Sequence, residues 1–306
     1  MKQTFYSNGK LLLTGEYVVL DGAKALAIPT KFGQDLVVDN GINRQIQWRS
    51  FDSDGSIWYE DIITFEEITS AQKGHATTVR TTLIEILQAA FRLNPDFLKT
   101  AEGYSLETHL TFPKLWGLGT SSTLINNIAQ WLNIDPFTLL NGSFGGSGYD
   151  IAAARHNNAI VYQLINEKPS VSEIKFNPPF SHNIWFVYLN RKQSSKAAIA
   201  SYYTNRNNHL SRKINELNNI TEVMSVTQNP GIFAREMHRH ESIISDILEM
   251  KTVRESFFPD FDGEVKSLGG WGGDFIMALS KKDPTDYFTQ KGFPTVVSFS
   301  DMVLSQ

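Results

Sequence analysis

The first third of the chain has short hydrophobic segments bounded by polar and turn residues, which predicts β-strands. A turn at Asp21-Gly22 separates the first two segments. The four predicted strands are 11–20, 24–38, Ile46–Trp48 and Ile57–Phe65. We therefore expect the chain to begin with a β-rich region.

The spacing then changes to that of a helix. From Thr77 to Phe91 the apolar side chains fall on one helical face, and Asn94-Pro95 ends the helix. In segment 104–112 apolar residues alternate with more polar ones, which predicts a half-buried strand that ends at Pro113. After a glycine turn, Leu124–Leu132 return to helical spacing. Strand, glycine turn and helix follow one another in the order that a phosphate-binding site needs.

The second half of the chain mixes both patterns, so the sequence predicts the α+β fold class. A glycine cluster, GGWGG at 269–273, precedes the apolar stretch Phe275–Leu279. The other predicted elements are strands at 158–165, 184–190 and 292–304 and helices at 194–218 and 231–253.

Composition narrows the class of protein. The chain has 306 residues, 41% of them hydrophobic, which is enough for one or two domains. Its formal net charge of -4 gives no reason to expect nucleic acid or an anionic membrane as a partner. The absence of cysteine excludes disulfides, thiolate nucleophiles and cysteine-bound metals. The apolar run near the N-terminus is too short for a signal peptide or a membrane span, so we expect a soluble, cytoplasmic protein.

The turn between the predicted strand and helix has the composition of an anion-binding loop. Its two glycines let a phosphate approach the backbone, and its three hydroxyls can cap the helix, contact a phosphate or bind a metal ion. A tight turn with a Ser/Thr cap explains the same residues and stays open. The P-loop lysine and the third glycine of the dinucleotide motif are absent, which excludes those two sites. The loop residues are Gly117, Leu118, Gly119, Thr120, Ser121 and Ser122.

Four segments together resemble the GHMP kinases, a family named for its galactose, homoserine, mevalonate and phosphomevalonate members. They occur in the family's order across nearly the whole chain. The segments are SNGKLLLTGEYVVLDGAKALAIP (7–29), PKLWGLGTSSTL (113–124), GSGYDIAAA (146–154) and KSLGGWGGDF (266–275).

This resemblance implies a two-lobed α+β fold with the active site in the cleft between the lobes, where ATP and the acceptor meet. The expected lobes are 1–165, with the ATP-binding loop and the catalytic aspartate, and 166–306. The GEY form of the first motif and the GGD of the third are more similar to phosphomevalonate kinases than to mevalonate kinases.

The resemblance also assigns roles to charged residues. Asp150 is expected to accept or orient the acceptor hydroxyl, and Lys10 to neutralise phosphate charge. Glu16 is expected to organise Lys10 or the substrate. Each has a plainer interpretation: a turn or helix-capping aspartate, a solvated lysine at a strand end, and a structural partner at a strand end.

Ser121 matches the serine that reaches Mg²⁺ in related kinases, with Thr120 and Ser122 as its phosphate-side neighbours. The sequence departs from the family here, because the interval from Ser122 to Asp150 contains no glutamate to match the acidic metal ligand. Asp150 or water molecules would then complete the Mg²⁺ coordination.

Further substrate-binding residues follow from the resemblance. A solvated basic face and an ordinary glycine turn explain the same residues. His238 and His240 lie two apart on a predicted helix, do not share a face and are expected to be exposed rather than metal ligands. The additional predicted substrate-binding residues are Ser194, Ser195, Lys196, Gly270, Gly272 and Gly273.

The predicted activity is transfer of the γ-phosphoryl group of MgATP to phosphomevalonate or mevalonate, in isoprenoid biosynthesis. The expected partner is a small-molecule alcohol or phosphate, with no nucleic acid and no membrane, and a homodimer stays open. Three alternatives remain: diphosphomevalonate decarboxylase, a homoserine or sugar kinase, and a catalytically weak nucleotide-binding regulator.

Overall fold

The computed structural model describes residues 2–70, 78–191, 202–204 and 210–304. The chain forms two compact units that are interleaved along the sequence. Unit 1 consists of Met1–Gly9, Phe32–Lys114 and Leu118–Arg155, and unit 2 of Lys10–Lys31, Leu115–Gly117 and His156–Gln306. The predicted lobes were two consecutive stretches, whereas two strands near the N-terminus each pass from one unit into the other.

Unit 1 contains strands in the order β4-β3-β5-β2, of which β3 and β5 are parallel and the other neighbours antiparallel. Its strands, some shared with unit 2, are β1 (Gln3–Thr14), β2 (Ala25–Asn40), β3 (Gln45–Phe51), β4 (Ile57–Thr64) and β5 (Tyr104–Leu110). Its helices are α1 (Phe65–Thr69), α2 (Val79–Leu93), α3 (Asp96–Lys99), α4 (Thr120–Leu132), α5 (Pro136–Ser143) and α6 (Tyr149–Arg155).

The core of unit 1 lies between this sheet and helices α2, α4 and α5. The predicted apolar faces are buried: Leu83, Ile86 and Leu87 on α2 pack in the same cluster as Ile125 and Ile128 on α4. Each such side chain contributes about 1.5–3 kcal/mol when it leaves water. The sheet thereby gives α4, which follows the glycine loop, a fixed support.

Unit 2 contains two groups of strands. The first half of β2 pairs with β6, and β6 pairs with β7, both antiparallel. A second antiparallel sheet has the order β11-β8-β10-β9. The strands are β6 (Ala159–Ile165), β7 (Lys168–Ile174), β8 (Ile184–Tyr188), β9 (Glu264–Leu268), β10 (Phe275–Leu279) and β11 (Val296–Ser298).

The described helices of unit 2 include one long pair, α7 and α8, which pack on each other. Within the described ranges, no helix combines the length and apolar character that crossing a bilayer requires. The α-helices are α7 (Leu210–Val226), α8 (Pro230–Leu248), α9 (Val253–Phe257), α10 (Thr285–Gln290) and α11 (Phe299–Met302). Short 3-10 turns lie at Val18–Asp21, Lys114–Trp116 and Ser181–Asn183.

Most predicted elements are confirmed to within a few residues, and the errors have local causes. The predicted strand 11–20 ends at Thr14, because Gly15 and Tyr17 both have positive φ and break the extended chain. Of the predicted strand 292–304 only Val296–Ser298 is confirmed, and beyond it Ser298 caps α11 by accepting the Asp301 N–H.

Two helix boundaries and one strand also differ from the prediction. The predicted helix 231–253 ends at Leu248, because Glu249 takes a left-handed conformation. Of the predicted helix 194–218, the part from Leu210 is confirmed and continues to Val226, and residues 194–201 and 205–209 lie outside the described ranges. Strand β7 was missed because neither of its faces is buried, so it shows no alternation.

Candidate functional site

The N-terminus of α4 in unit 1 has the geometry of an anion site. Gly119 precedes the helix with a φ of 98° and, as glycine, has no side chain to cap it. The first N–H groups of a helix have no partner within the helix, and together they carry about half a positive charge. Thr120, Ser121 and Ser122 supply these N–H groups. They fit the phosphate-binding role predicted for the loop.

The three hydroxyls at this helix start differ in what they contact. Ser122 is buried, and its hydroxyl donates to the Gly119 carbonyl over 3.0 Å. Thr120 is half-buried, whereas Ser121 is exposed on the second position of the helix. Ser121 therefore carries the most exposed of the three hydroxyls. Leu118, also predicted at this site, is fully buried and anchors the loop.

A buried polar network holds α4 in place. The Asn127 amide donates to the Gln34 carbonyl over 2.8 Å and accepts from the Ser7 hydroxyl over 2.6 Å. Asn126 donates to the same Ser7 hydroxyl over 2.8 Å, and Thr123 donates to the Gln34 side chain over 2.7 Å. Because buried polar groups are costly unless bonded, this network fixes α4 in one position on the sheet.

Asp150 lies in the first turn of α6, within unit 1, and is half-buried. Gly148 precedes it with a φ of 86°. Helix α6 packs against α4, so the predicted catalytic carboxylate stands on the helix next to the one that begins at the glycine loop. The positive end of α6 stabilises a carboxylate at this position.

The first part of the glycine loop belongs to unit 2 and is anchored there by the second sheet. The Tyr188 hydroxyl donates to the Leu115 carbonyl over 3.0 Å. The Trp116 ring packs edge-on against Phe275, with centroids 5.4 Å apart. Gly117 has a φ of 67°, and a Cβ at this residue would overlap a side chain of the third motif. The loop is thus held before it reaches α4.

The third motif forms a tight turn in unit 2. The Gly273 N–H donates to the Gly270 carbonyl over 3.0 Å, and Gly272 has a φ of 65°, which favours glycine. Trp271 is buried, and its indole N–H donates to the Lys251 carbonyl over 3.1 Å. The structure therefore brings the three predicted glycines together, and the large Trp271 side chain points into the interior of the unit.

Glu16 belongs to a buried ionic cluster in unit 2. Its carboxylate lies 2.5 Å from the Lys266 Nζ and 3.3 Å from the His240 Nε2, and all three side chains are fully buried. Glu241 lies beside them and accepts from the Ser267 N–H over 3.0 Å. Glu16 is thus an ion-pair partner of Lys266, and its predicted role in organising Lys10 or the substrate stays a prediction.

Burial dominates the proton affinities in this cluster. It raises the pKa of Glu16 to about 7, although Lys266 opposes the shift. Burial likewise raises the pKa of Glu241. It lowers the pKa of His240 well below its usual value, with Lys266 adding to the effect. The Gly15 N–H donates to the His240 Nε2 over 3.0 Å, which fits a neutral ring.

The prediction for His240 was therefore wrong, whereas His238 is exposed as expected. Sequence reasoning treated both as polar surface residues. The available signal was the helical spacing of His240 with the apolar Met237 and Ile244, which puts it on the buried face of α8. Its partners lie far away in sequence, so no local pattern identifies them.

The remaining predicted residues are placed as follows. Lys10 lies on β1 in unit 2 and is half-buried. Ser194, Ser195 and Lys196 lie outside the described residues. Arg191, at the edge of that basic segment, stacks over the Phe257 ring at 4.4 Å.

The predicted Mg²⁺ site has few candidate protein ligands among the described residues. In the part of the chain that the structure describes, no group of three or more His, Cys, Asp or Glu side chains is arranged to hold a metal ion. The two predicted oxygen ligands lie on neighbouring helices, Ser121 on α4 and Asp150 on α6. Mg²⁺ commonly keeps several of its water ligands, so a site with few protein oxygens would suit it.

No family model matches the chain, and no curated protein matches it. Solved structures do match. Streptococcus pneumoniae phosphomevalonate kinase in complex with phosphomevalonate and AMPPNP superposes with a TM-score of 0.67 at 15% identity, over 99% of this chain and 98% of its own.

Two further structures are similar over most of their length. L. major mevalonate kinase in complex with R-mevalonate has a TM-score of 0.66 and 17% identity, over 94% of this chain and 90% of its own. Lactococcus lactis galactokinase complexed with galactose has a TM-score of 0.71 and 14% identity, over 99% of this chain and 94% of its own. The resemblance predicted from the motifs is confirmed at the level of the fold, and the protein has the α+β fold of the GHMP kinases.

Proposed function

We propose that the protein is an ATP-dependent small-molecule kinase. The observation that carries this proposal is the uncapped N-terminus of α4 after Gly119, with Asp150 on the adjoining helix α6. Phosphoryl transfer needs positioned phosphates and a group that orients the acceptor hydroxyl. The α4 N–H groups serve the first need and the Asp150 carboxylate the second.

Individual residues then take distinct roles. The glycine loop binds the ATP phosphates, Ser121 contributes an oxygen to Mg²⁺, and Asp150 orients the acceptor hydroxyl and accepts its proton. Lys10 is the proposed phosphate-neutralising cation. When bound, Mg²⁺ supplies charge neutralisation on the transferred phosphoryl group.

For the acceptor, we propose a mevalonate-pathway intermediate, with phosphomevalonate ahead of mevalonate. The GEY and GGD forms of the first and third motifs support this order. The similarity to phosphomevalonate kinase and mevalonate kinase structures is compatible with it, as is the similarity to galactokinase with a sugar acceptor. Diphosphomevalonate decarboxylase would use the same ATP chemistry and additionally release CO₂.

The test is ADP release from MgATP with mevalonate, phosphomevalonate, diphosphomevalonate, homoserine and galactose as separate acceptors. Asp150→Asn removes the carboxylate charge and should reduce turnover at least about 100-fold. Asp135→Asn is the matched control, because Asp135 caps α5 and is exposed in the same unit. Near-normal turnover in folded Asp150→Asn would refute the role of Asp150.

A second candidate is a catalytically weak, nucleotide-binding regulator. It is favoured by the lack of a glutamate between Ser122 and Asp150, which leaves the Mg²⁺ site with few protein ligands. ATP binding measured by calorimetry without ADP release with any of the five acceptors would support this candidate. Strong turnover with one acceptor would exclude it.

A further inference from the structure

Tyr17, in the first motif, is the centre of a strained backbone turn. The Val18 N–H donates to the Glu16 carbonyl over 2.7 Å, which closes a γ-turn across Tyr17. Tyr17 has φ 62° and ψ -50°, the positive-φ form of the γ-turn that is rare and strained for a residue with a side chain. Such a conformation persists only where the surroundings fix it.

The two residues that precede Tyr17 are both fixed. Gly15 has a φ of 90°, and a Cβ there would overlap the Lys24 carbonyl, so only glycine fits. Its N–H donates to the buried His240. Glu16 is held by the ion pair with Lys266. These contacts all lie within unit 2, and they account for the strained conformation without any ligand.

The side chain of Tyr17 is directed by this turn to the third motif. Its ring is buried and stacks on Tyr202, with centroids 6.0 Å apart and planes 24° from parallel. The Tyr202 hydroxyl in turn donates to Asp21 over 2.5 Å. The Tyr17 hydroxyl accepts the backbone N–H of Trp271 over 2.7 Å. Tyr17 thus contacts the backbone of the glycine turn directly.

Trp271 is the residue through which the glycine turn is held. It occupies the second position of the turn that Gly270 and Gly273 close. Its backbone N–H is bound by Tyr17, and its indole N–H is bound by the Lys251 carbonyl. With Trp271 fixed by two hydrogen bonds, the flanking glycines have a defined place, and Gly269, Gly270 and Gly272 are half-buried rather than enclosed.

We propose that Tyr17 is a positioning residue that fixes the glycine turn 269–273 for substrate binding by using its hydroxyl to hold the Trp271 amide. The part that concerns substrate binding rests on the proposed kinase function. The strained γ-turn in the first motif orients the Tyr17 side chain toward the third motif. The hydrogen bond from the Trp271 N–H to the Tyr17 hydroxyl thus connects the two motifs within unit 2.

Tyr17→Phe tests this inference, because it removes the hydroxyl and keeps the buried ring. Hydrogen–deuterium exchange followed by mass spectrometry on the full chain should show at least about tenfold faster exchange in peptides that contain Trp271. Tyr287→Phe is the matched control, since it removes a hydroxyl bonded to Asp260 elsewhere in unit 2 and should leave those peptides unchanged.

Kinetics give a second measurement. With the acceptor that the ADP-release assay identifies, Tyr17→Phe should raise KM about tenfold and leave kcat within about twofold, because the turn is displaced and the reacting groups are not. A purely structural tyrosine would change neither parameter in folded enzyme at 25 °C.

The outcomes separate this inference from the proposed function. Unchanged exchange at Trp271, or a uniform increase over all peptides, would overturn the positioning role whatever the kinetics show. Faster local exchange with unchanged KM would overturn its link to substrate binding. If wild-type protein transfers phosphate to no acceptor, the kinase proposal fails, and the exchange measurement still decides whether Tyr17 holds the turn.

Discussion

The carboxylate of Asp274 lies so close to the Cα of Gly117 that a Cβ at residue 117 would overlap it. Gly117 also has a φ of 67°, in the left-handed region that favours glycine. The glycine loop and the GGD of the third motif therefore meet at one residue pair within unit 2. Two separate constraints, conformation and space, require glycine at this position.

Gly117→Ala should lower the free energy of unfolding by about 2–4 kcal/mol. The energetic cost of a positive φ at alanine and the cost of the overlap with Asp274 both contribute to this loss. Urea unfolding measures the change. Gly55→Ala is the matched control, since Gly55 has a φ of 82° with open space around it, and should cost only about 1 kcal/mol. Equal losses in the two variants would show that Asp274 does not restrict residue 117.

Lys266 is the cation that neutralises a buried carboxylate, so its removal should be strongly destabilising. The Lys266 and Glu16 side chains are 0% and 1% exposed, so Lys266→Met leaves the Glu16 carboxylate buried without its ion pair. We expect the free energy of unfolding, measured with urea, to fall by about 3–5 kcal/mol. Lys291→Met removes an exposed pair with Asp260 and should cost less than about 1 kcal/mol.

A double variant separates the ion pair from the packing of the lysine stem. Lys266→Met combined with Glu16→Gln leaves no unpaired Glu16 charge and should recover part of the stability lost in Lys266→Met alone. Additive losses in the double variant would mean that the 2.5 Å contact between the two residues contributes little to their coupling.

Local rules explain which parts of this structure the sequence could predict. The start of α4 follows from Gly119 and the helical spacing after it, both visible within a short window. The Glu16 cluster was not predictable in this way, because His240 and Lys266 lie more than 200 residues away along the chain, as their contacts with Gly15 and Glu16 show. Charged residues on the buried face of α8 also contradict the usual rule that charges are exposed.

The catalytic assignment could be reached only through the family motifs. Asp150 stands in a short helix after a glycine-rich stretch, and a capping aspartate has the same local sequence. Helix α6, which carries Asp150, packs on α4, a neighbour that the local sequence does not reveal, and the catalytic role stays a prediction. Tyr17 is a similar case, since its positive φ could not be expected for a tyrosine that follows an apolar strand.

Glu16 should make stability depend on pH in a recognisable direction. Burial raises its pKa from 4.5 to about 7 in the folded protein, so the folded state holds this proton more tightly than the unfolded state. Its stabilising contribution is complete below about pH 4.5 and is lost as the pH rises through about 7. The raised pKa of Glu241 acts in the same direction.

His240 changes stability with pH in the direction opposite to Glu16. Its lowered pKa makes the free energy of unfolding fall as the pH drops below about 6.5.

A comparison with Glu16→Gln isolates the Glu16 contribution. The unfolding free energy of wild type relative to Glu16→Gln should decrease between pH 5 and pH 8, by on the order of 1–3 kcal/mol. A difference that stays constant, or grows with pH, would mean that Glu16 is already ionised at pH 5.

Ser121 and Ser122 are adjacent on α4 but should respond differently to loss of the hydroxyl. Ser121 is exposed and is proposed to face the nucleotide, so Ser121→Ala should lower kcat at least about tenfold. The same change should alter the free energy of unfolding by less than about 0.5 kcal/mol. Ser122 is buried, and its hydroxyl is bonded to the Gly119 carbonyl. Ser122→Ala should cost about 1 kcal/mol of stability and leave kcat within about threefold.

Both variants are measured by ADP release and by urea unfolding, and each serves as the control for the other. The difference follows from α4 geometry, because the second helical position projects outward here while the third turns back onto the Gly119 carbonyl. The reverse pattern, with kcat lost in Ser122→Ala and kept in Ser121→Ala, would move the proposed metal contact from Ser121 to Ser122. Normal kcat in both would leave phosphate binding to the backbone N–H groups of the loop alone.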